Sequence, residues 1–185
     1  MPSQSIDPAT GFLDRRSCFD LVTQLTAHAV ADGRPFASLW IALDRLKQVN
    51  ASFGHLGGDT VISEIARRLR EKSGGRAEWC RMGGDEFVCL APGSNLAQAR
   101  QLALDLLQII SAPLRFGDLF LHPSASIGIA ILESDENPLA FLERVDRAMM
   151  AAKRQGGGRV VASDDESVTG RQGVLLAREE LAIEN

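Results

Sequence analysis

The stretch Arg81-Met82-Gly83-Gly84-Asp85-Glu86-Phe87 decides how the rest of the chain is read. It joins two short strand-like runs, residues 78–82 and 87–90. Gly-Gly between such runs signals a tight hairpin, because glycine accepts the positive φ angles these turns demand. Two adjacent carboxylates, Asp85 and Glu86, follow. The missing glycine side chains let a ligand's phosphates approach the backbone of the turn. Read alone, the tip is a surface hairpin with solvated acids, and only the flanking chain gives it more meaning.

Upstream of the hairpin, residues 36–43 are apolar almost throughout and read as a buried strand. Asp44 follows where strand becomes helix, which is an N-cap position. Helical spacing runs over residues 45–53, breaks at Gly54, Gly57 and Gly58, and resumes over 59–72 with Val61, Ile62, Ile65 and Leu69 inward. Taken by itself, Asp59 would cap the resumed helix and Asn50 would end the earlier one. Nearer the N-terminus, Ser17 reads as the cap of a helix to about Ala31, with Phe19, Val22, Leu25 and Ala29 on one stripe. Gly33 and Pro35 end it.

Downstream, residues 96–110 form a third helical pattern with Leu102, Leu106 and Ile109 inward. Residues 116–119 look like a small hairpin tip, and 124–132 like a strand. Pro138 opens a last helix to about Arg154, which Gly156-Gly157-Gly158 ends before a short strand at 159–162. The core order is strand, helix, strand, strand, helix, strand. The fold class is therefore α+β, a ferredoxin-like βαββαβ core with an antiparallel sheet, helices on one face and extra terminal elements. Such a plan sets residues 42–44 beside Asp85.

A chain of 185 residues fits one domain with a real core. Hydrophobic content of 45% with 24% charged residues is ordinary for a soluble globular protein. The net charge of −4 argues against broad nucleic-acid binding but leaves room for a local basic pocket for phosphates. Apolar runs such as 127–132 are too short to span a bilayer, and no signal peptide is visible at Met1, so the expected location is cytoplasmic. Cys18, Cys80 and Cys89 form no CxxC pair and no metal spacing with His28, His55 or His122. A turn centred between Gly84 and Asp85 would set Cys80 opposite Cys89, expected as a reduced, packed pair. From Ser163 on, acids and small residues suggest a linker, with another helical pattern starting near 174–183.

With its Gly83-Gly84-Asp85-Glu86-Phe87 tip, the chain resembles the GGDEF family, bacterial domains that condense two GTP molecules into cyclic di-GMP. Residues 7–15 are similar to the family's entry motif DxLTGLxNR, with Ala9, Phe12 and Asp14 in place of Leu, Leu and Asn. Its expected role is to seat the N-terminus on the core. Gly54-His55 and Gly57-Gly58-Asp59 match the pattern GHxxGD, and the resemblance runs from about Asp7 to Val160. It implies a nucleotide-cyclase palm-like fold for a GGDEF domain over residues 1–162. Residues 163–185 would then be a C-terminal linker toward a further module, typically a cyclic di-GMP phosphodiesterase.

The resemblance also implies a site. Asn50 and Asp59 would hold guanine, because a carboxylate accepts from its N1–H and N2–H₂ edge while adenine would leave it unpaired. Backbone N–H groups at Arg45 and Leu46 would offer a helix N-terminus to phosphate. Lys47 and Lys153 match phosphate-contacting lysines, Gly83 and Gly84 lie close to the phosphates, and Arg81 takes the usual basic position before the turn. Asp85 is the candidate base for the 3′-hydroxyl proton, with Glu86 and Lys47 as its catalytic companions. The Asp85 carboxylate and the Leu43 carbonyl are the expected metal ligands, for Mg²⁺ or Mn²⁺ brought mainly with the nucleotide. Catalysis in the family joins two GTP molecules and implies a homodimer.

Three departures set the functional expectation. The family's Asp-x-Asp at the end of the first strand is Ala42-Leu43-Asp44 here, so the first metal ligand is gone, and Asp44 holds a position that is normally structural. Losing even an outer partner of a metal costs ~10–100-fold in affinity or activity, and a direct ligand should cost at least that. The Lys-x-x-Gly-Arg pattern becomes Lys153-Arg154-Gln155-Gly156-Gly157, which removes an arginine. Gly74 and Ala77 stand where many relatives carry the Arg-x-x-Asp feedback pair. The expected function is binding of GTP or cyclic di-GMP, or both, at the active half-site, with cyclase activity weak or lost. The alternative is an active diguanylate cyclase working as a homodimer.

Overall fold

The structure is a computed structural model and describes residues 4–75, 77–165 and 168. In chain order it contains α1 (Arg15–Asp32), β1 (Phe36–Leu43), α2 (Leu46–Ser73), β2 (Glu78–Gly83), β3 (Glu86–Pro92), α3 (Leu96–Ser111), β4 (Leu114–Phe116), β5 (Leu119–Leu121), β6 (Ala125–Ile131), α4 (Pro138–Arg154) and β7 (Arg159–Ala162). The main sheet has five strands in the order β2-β3-β1-β6-β7, and β4 and β5 form a separate ribbon. β1 runs antiparallel to both β3 and β6, whereas β7 joins β6 in parallel. The expected βαββαβ core is therefore present, with β7 added at one edge.

β1 is buried at every position because both faces of the sheet are covered. Leu39, Ile41 and Leu43 pack with Val61, Ile65 and Leu69 of α2 and with Leu106 and Ile110 of α3. Phe36, Trp40 and Ala42 turn the other way, onto Cys18 and Val22 of α1 and Phe141, Val145 and Met149 of α4. This corrects the expectation of helices on one face. The unbroken apolar run of β1 is the signature of a strand buried on both sides, and the helices outside the core plan supply the second layer.

Local details differ in instructive ways. Asp14, not Ser17, caps α1: its carboxylate accepts from the Ser17 N–H at 2.8 Å. Ser17 is buried, and its hydroxyl accepts from the Ser5 N–H at 2.8 Å. In α2 the break is confined to Gly54 (φ 70°, ψ 178°), while Gly57 and Gly58 are helical. Those two permit close packing, since a Cβ on Gly57 would lie 2.6 Å from the Phe53 Cβ, and one on Gly58 would fall on the Asn50 side-chain oxygen. Asn95 and Gln98 form a capping box at the start of α3, a signal the sequence carried in full.

The hairpin register also departs from expectation. A bulge between Arg81 and Gly83 shifts the pairing, so Cys80 lies opposite Val88 and Cys89 opposite Trp79. An extra residue on one strand moves every earlier position by one and turns it to the other face. Cys80 accordingly packs in the α1/α4 layer and Cys89 in the α2/α3 layer, and all three cysteines are buried and free. Contact with the Cys18 thiol and burial push the Cys80 thiol up, and burial alone does the same for Cys89. No helix among the described residues is long and apolar enough to cross a membrane. The helical pattern near 174–183 lies outside the described residues.

α4 rests directly on β6 at Gly128, where an added Cβ would meet the backbone of Met149 and Val145 and lie 2.8 Å from the Ala148 carbonyl carbon. Backbone cannot rotate away as a side chain can. Gly128→Ala should therefore destabilise the fold by about 3 kcal/mol. By differential scanning calorimetry that is a fall of roughly 6–12 °C in Tm, and a fall under roughly 2 °C would contradict the close approach.

Candidate functional site

The site is assembled where β1 ends beside the β2–β3 turn. The Leu43 N–H donates to the Asp85 carbonyl at 3.0 Å, and Ala42 is paired with Glu86 on one side and Ser126 on the other. Gly84, at φ 41°, turns the chain through the left-handed region that a side chain disfavours. Arg81 fastens the same turn. Its guanidinium donates to the Gly84 carbonyl at 2.8 Å and to the Asp7 carboxylate at 3.0 and 3.2 Å. The Leu13 N–H donates to the Trp79 carbonyl, and the Arg81 N–H to the Leu13 carbonyl, so the N-terminal segment extends the hairpin by a short parallel bridge.

Asp44 is not a helix cap. α2 begins at Leu46, and its cap position is Arg45, which adopts a left-handed φ of 59° and makes no side-chain cap bond. The Asp44 carboxylate instead accepts from the Ser126 hydroxyl at 2.7 Å, the Ser124 hydroxyl at 2.9 Å and the Gly158 N–H at 2.9 Å. Its own N–H donates to the Ser124 carbonyl at 2.8 Å. The fit is close enough that a Cβ on Gly157, at φ 75°, would lie 2.8 Å from the carboxylate. Gly157 thus has two reasons to lack a side chain, and the family arginine could not be added there without moving Asp44.

Two adjoining clefts open around this clamp. One, of ≈ 440 Å³, is lined by Leu43, Arg45, Leu46, Lys47, Asp85 and Lys153 among others. The second, of ≈ 310 Å³, shares Leu43 to Leu46 and the glycine turn and adds Val49, Val61, His122 and Ser124. The Gln48 N–H donates to the Arg45 carbonyl at 2.9 Å, whereas the Leu46 and Lys47 N–H groups have no backbone acceptor and no side-chain cap among the described residues, so these two remain available to an anion. Six of the residues singled out from the sequence therefore meet at one cleft. Others do not line it. Glu86 receives a hydrogen bond from the Trp40 indole N–H at 3.2 Å, and Arg81, Gly83 and Gly84 line neither cleft.

Asn50 and Asp59 lie on α2 on either side of the Gly54 kink. Asp59 is exposed inside the helix rather than at a cap, which removes the capping explanation. The Asn50 side-chain oxygen is buried without a hydrogen-bond partner. An acceptor left unpaired in this way costs ~1–3 kcal/mol. That oxygen packs against Gly58, and neither Asn50 nor Asp59 lines either cleft, so a ligand donor would reach it only if the Asn50 side chain turned. At the feedback positions, Gly74 ends α2 and Ala77 borders a shallow cavity, and neither offers a charge.

The residues present do not make a divalent-metal site on their own. Among the described residues no three His, Cys, Asp or Glu side chains are grouped to hold an ion. Ala42 is a fully buried methyl in the α1/α4 layer, and Asp44 is committed to three donors. That leaves the Asp85 carboxylate and the Leu43 carbonyl, fewer anchors than the near-octahedral oxygen shell of Mg²⁺ requires without phosphate and water. Ser124, Ser126 and Gly158 went unread in the sequence. The available signal was Ser-x-Ser opening an otherwise apolar strand, which puts two hydroxyls on one face at period two.

The family profile described as "Diguanylate cyclase, GGDEF domain" matches residues 4–159, and the chain belongs to that family. Among known proteins, diguanylate cyclase DgcP of Pseudomonas aeruginosa is 36% identical over 155 residues, covering 83% of this chain and 23% of that protein. The bifunctional diguanylate cyclase/cyclic di-GMP phosphodiesterase MucR of the same organism is 36% identical over 151 residues, covering 81% of this chain and 22% of that protein. The chain thus spans less than a quarter of the length of either relative. Among solved structures, the GGDEF domain of TpbB (YfiN) from P. aeruginosa superimposes with a TM-score of 0.84 at 31% identity, covering 91% of this chain and 99% of that one. The GGDEF domain of DgcB from Caulobacter crescentus, solved in complex with c-di-GMP, gives a TM-score of 0.83 at 24% identity over 89% and 97% of the two chains, a likeness of fold.

The Asp7–Arg81 pair gives a test of how the tip is held. Burial pushes the Asp7 carboxyl up, but the Thr10 hydroxyl and the Arg81 guanidinium together hold it below its ordinary 3.8. A lowered carboxyl contributes stability above its unfolded value and loses it as pH falls through its folded value. Asp7→Asn should therefore be less stable than the parent by about 1–2 kcal/mol near neutral pH. In urea titrations at several pH values that gap should shrink below pH 3.8. A gap that widens toward acid would contradict the pairing.

Proposed function

We propose that this domain binds a guanine nucleotide, GTP or cyclic di-GMP, in the cleft bounded by Asp85, Lys47, Lys153 and the start of α2, and that its cyclase activity is weak or lost. The observation that carries the second half is the buried Ala42 methyl beside a fully bonded Asp44, which leaves Asp85 as the only carboxylate of the phosphate cleft without a partner among the described residues. For the first half, the unpartnered Asn50 oxygen and the exposed Asp59 supply acceptors suited to the guanine N1–H and N2–H₂ edge. Lys47 and Lys153 neutralise phosphate, and the α2 N-terminus contributes backbone donors. Any Mg²⁺ or Mn²⁺ arrives on the triphosphate.

Within this reading Asp85 is the group placed to accept a proton from a 3′-hydroxyl. A carboxylate alone supplies only part of the charge stabilisation that phosphoryl transfer draws on. Glu86 acts from behind the tip through its bond to Trp40, and Arg81 acts by fixing the turn. The domain, residues 1–162, would work in the cytoplasm, where GTP is available, and 163–185 would lead to a further module such as a phosphodiesterase. The competing reading is an active cyclase assembled as a homodimer. The intact Gly-Gly-Asp-Glu-Phe tip and the relatives named as diguanylate cyclases support it.

Turnover separates the two. Incubated with GTP and Mn²⁺, the chain should form little or no cyclic di-GMP by chromatography. Turnover equal to a relative that keeps both aspartates would overturn the impaired reading. Ala42→Asp puts a carboxylate into a buried position opposite Glu86. Without metal it should cost about 3 kcal/mol or more. With Mn²⁺ and GTP its Tm should recover and product should appear, whereas recovery without metal would show that the new carboxylate finds another partner.

Guanine selectivity tests the pocket. GTP should bind better than ATP in calorimetry, and Asp59→Ala should remove the preference. A well-placed polar group can discriminate by up to ~10⁴-fold. Equal affinities in the parent would remove Asn50 and Asp59 from the site.

A further inference from the structure

Arg45 stands out for reasons the family resemblance does not contain. Among the described residues it is the one non-glycine with positive φ (59°, ψ 20°), a conformation disfavoured for any residue bearing a Cβ. Such conformations are retained where the surroundings impose them and cluster at binding sites. Its side chain is exposed, it lines both clefts, and no hydrogen bond or ion pair from a described residue engages it. Lys47 and Lys153 line the cleft with it, and their side chains are likewise without hydrogen bonds or ion pairs among the described residues, although burial pushes the nearby Asp146 carboxyl up and the Lys153 charge partly opposes this. Against these three cations stand two carboxylates, and one of them, Asp44, already accepts three hydrogen bonds.

The cleft therefore has the opposite character from a carboxylate pair built around a divalent ion. We propose that Arg45, together with Lys47 and Lys153, supplies the charge neutralisation that a protein-held metal would otherwise provide, so that this chain binds the triphosphate of a guanine nucleotide without a metal ion. This rests on reading the cleft as the nucleotide site. The reasoning is electrostatic. A metal-free triphosphate carries about two more negative charges than its magnesium complex, and guanidinium and ammonium groups bind phosphate oxygens by charge-assisted hydrogen bonds. A site that lacks carboxylates to share a cation gains nothing from bringing one, and Asp85 alone repels the free triphosphate less than the three cations attract it.

The experiment is isothermal titration of the whole chain with GTP, once in excess Mg²⁺ and once in excess EDTA. The parent should bind in EDTA within threefold of its affinity in Mg²⁺, or more tightly. Arg45→Ala should weaken the EDTA titration by tenfold or more and the Mg²⁺ titration by about threefold, because the effect of one removed charge scales with the charge of the ligand. Arg45→Lys should stay within threefold of the parent in both. Arg45→Gly suits the left-handed backbone, so it guards against misfolding and should reproduce the loss seen with Ala. Parent binding that weakens more than threefold on removing Mg²⁺ overturns the inference, as does an Ala variant whose EDTA affinity is unchanged. In both cases the proposed function stands. No GTP binding under either condition overturns this inference, and the proposed function falls with it if a parallel titration with cyclic di-GMP also shows no binding.

Discussion

The Asp44 carboxylate is the constraint on which the site depends. Two hydroxyls from the start of β6 and one N–H from the turn after α4 close on it, joining three parts of the chain at the end of β1. Half-buried charge is tolerated when donors surround it, and here they come from two separate segments, the start of β6 and the turn after α4. The clamp fixes the glycine turn against the cleft and excludes a side chain at residue 157. It also fixes where α2 begins, because the chain must leave Asp44 through the left-handed Arg45 to start its first turn. The start of α2, which borders the cleft, is thus set by a carboxylate turned toward its own three donors.

From that clamp the chemical balance of the cleft follows. With Asp44 committed and Ala42 a buried methyl, acidity at the cleft comes down to Asp85. Basic groups arrive from two directions, Arg45 and Lys47 from the start of α2 and Lys153 from the end of α4. The tip is braced separately. Asp7 and Arg81 tie the entry segment to the turn, and the Leu43 N–H ties the turn to β1. In the proposed function binding and chemistry are therefore separable: the basic groups of the cleft are in place, while a carboxylate pair that would share a cation is not.

Much of the fold was legible because periodicity and punctuation agreed. The bounds of β1, α4 and β7 follow from an apolar run, a proline opening and a glycine close. The hairpin register was not legible, because a single bulged residue near Met82 leaves no compositional mark and yet reverses the faces of Cys80 and Trp79. The second helical layer could have been read from β1, whose positions are all apolar save Ser38, had that run been weighed against a one-sided sheet. For the site, Asp85, Lys47 and Lys153 were found from the motif and do meet. The partners of Asp44 lie 80, 82 and 114 residues away in sequence, and no local pattern links them. Arg45 was read for its N–H alone, since its left-handed backbone is imposed by the tertiary clamp rather than by its own preference.

Without nucleotide, the described residues hold no assembled divalent-cation site, because Asp44 is a structural clamp and the Asp85 carboxylate has no second carboxylate beside it in the cleft to share an ion. Electron paramagnetic resonance of Mn²⁺ added to excess nucleotide-free protein tests it most directly. The account predicts that the free-ion signal is undiminished by the protein and falls only when GTP is added. A signal lost on protein alone, and restored by Asp85→Asn, would show a preformed metal site at the tip and contradict the account.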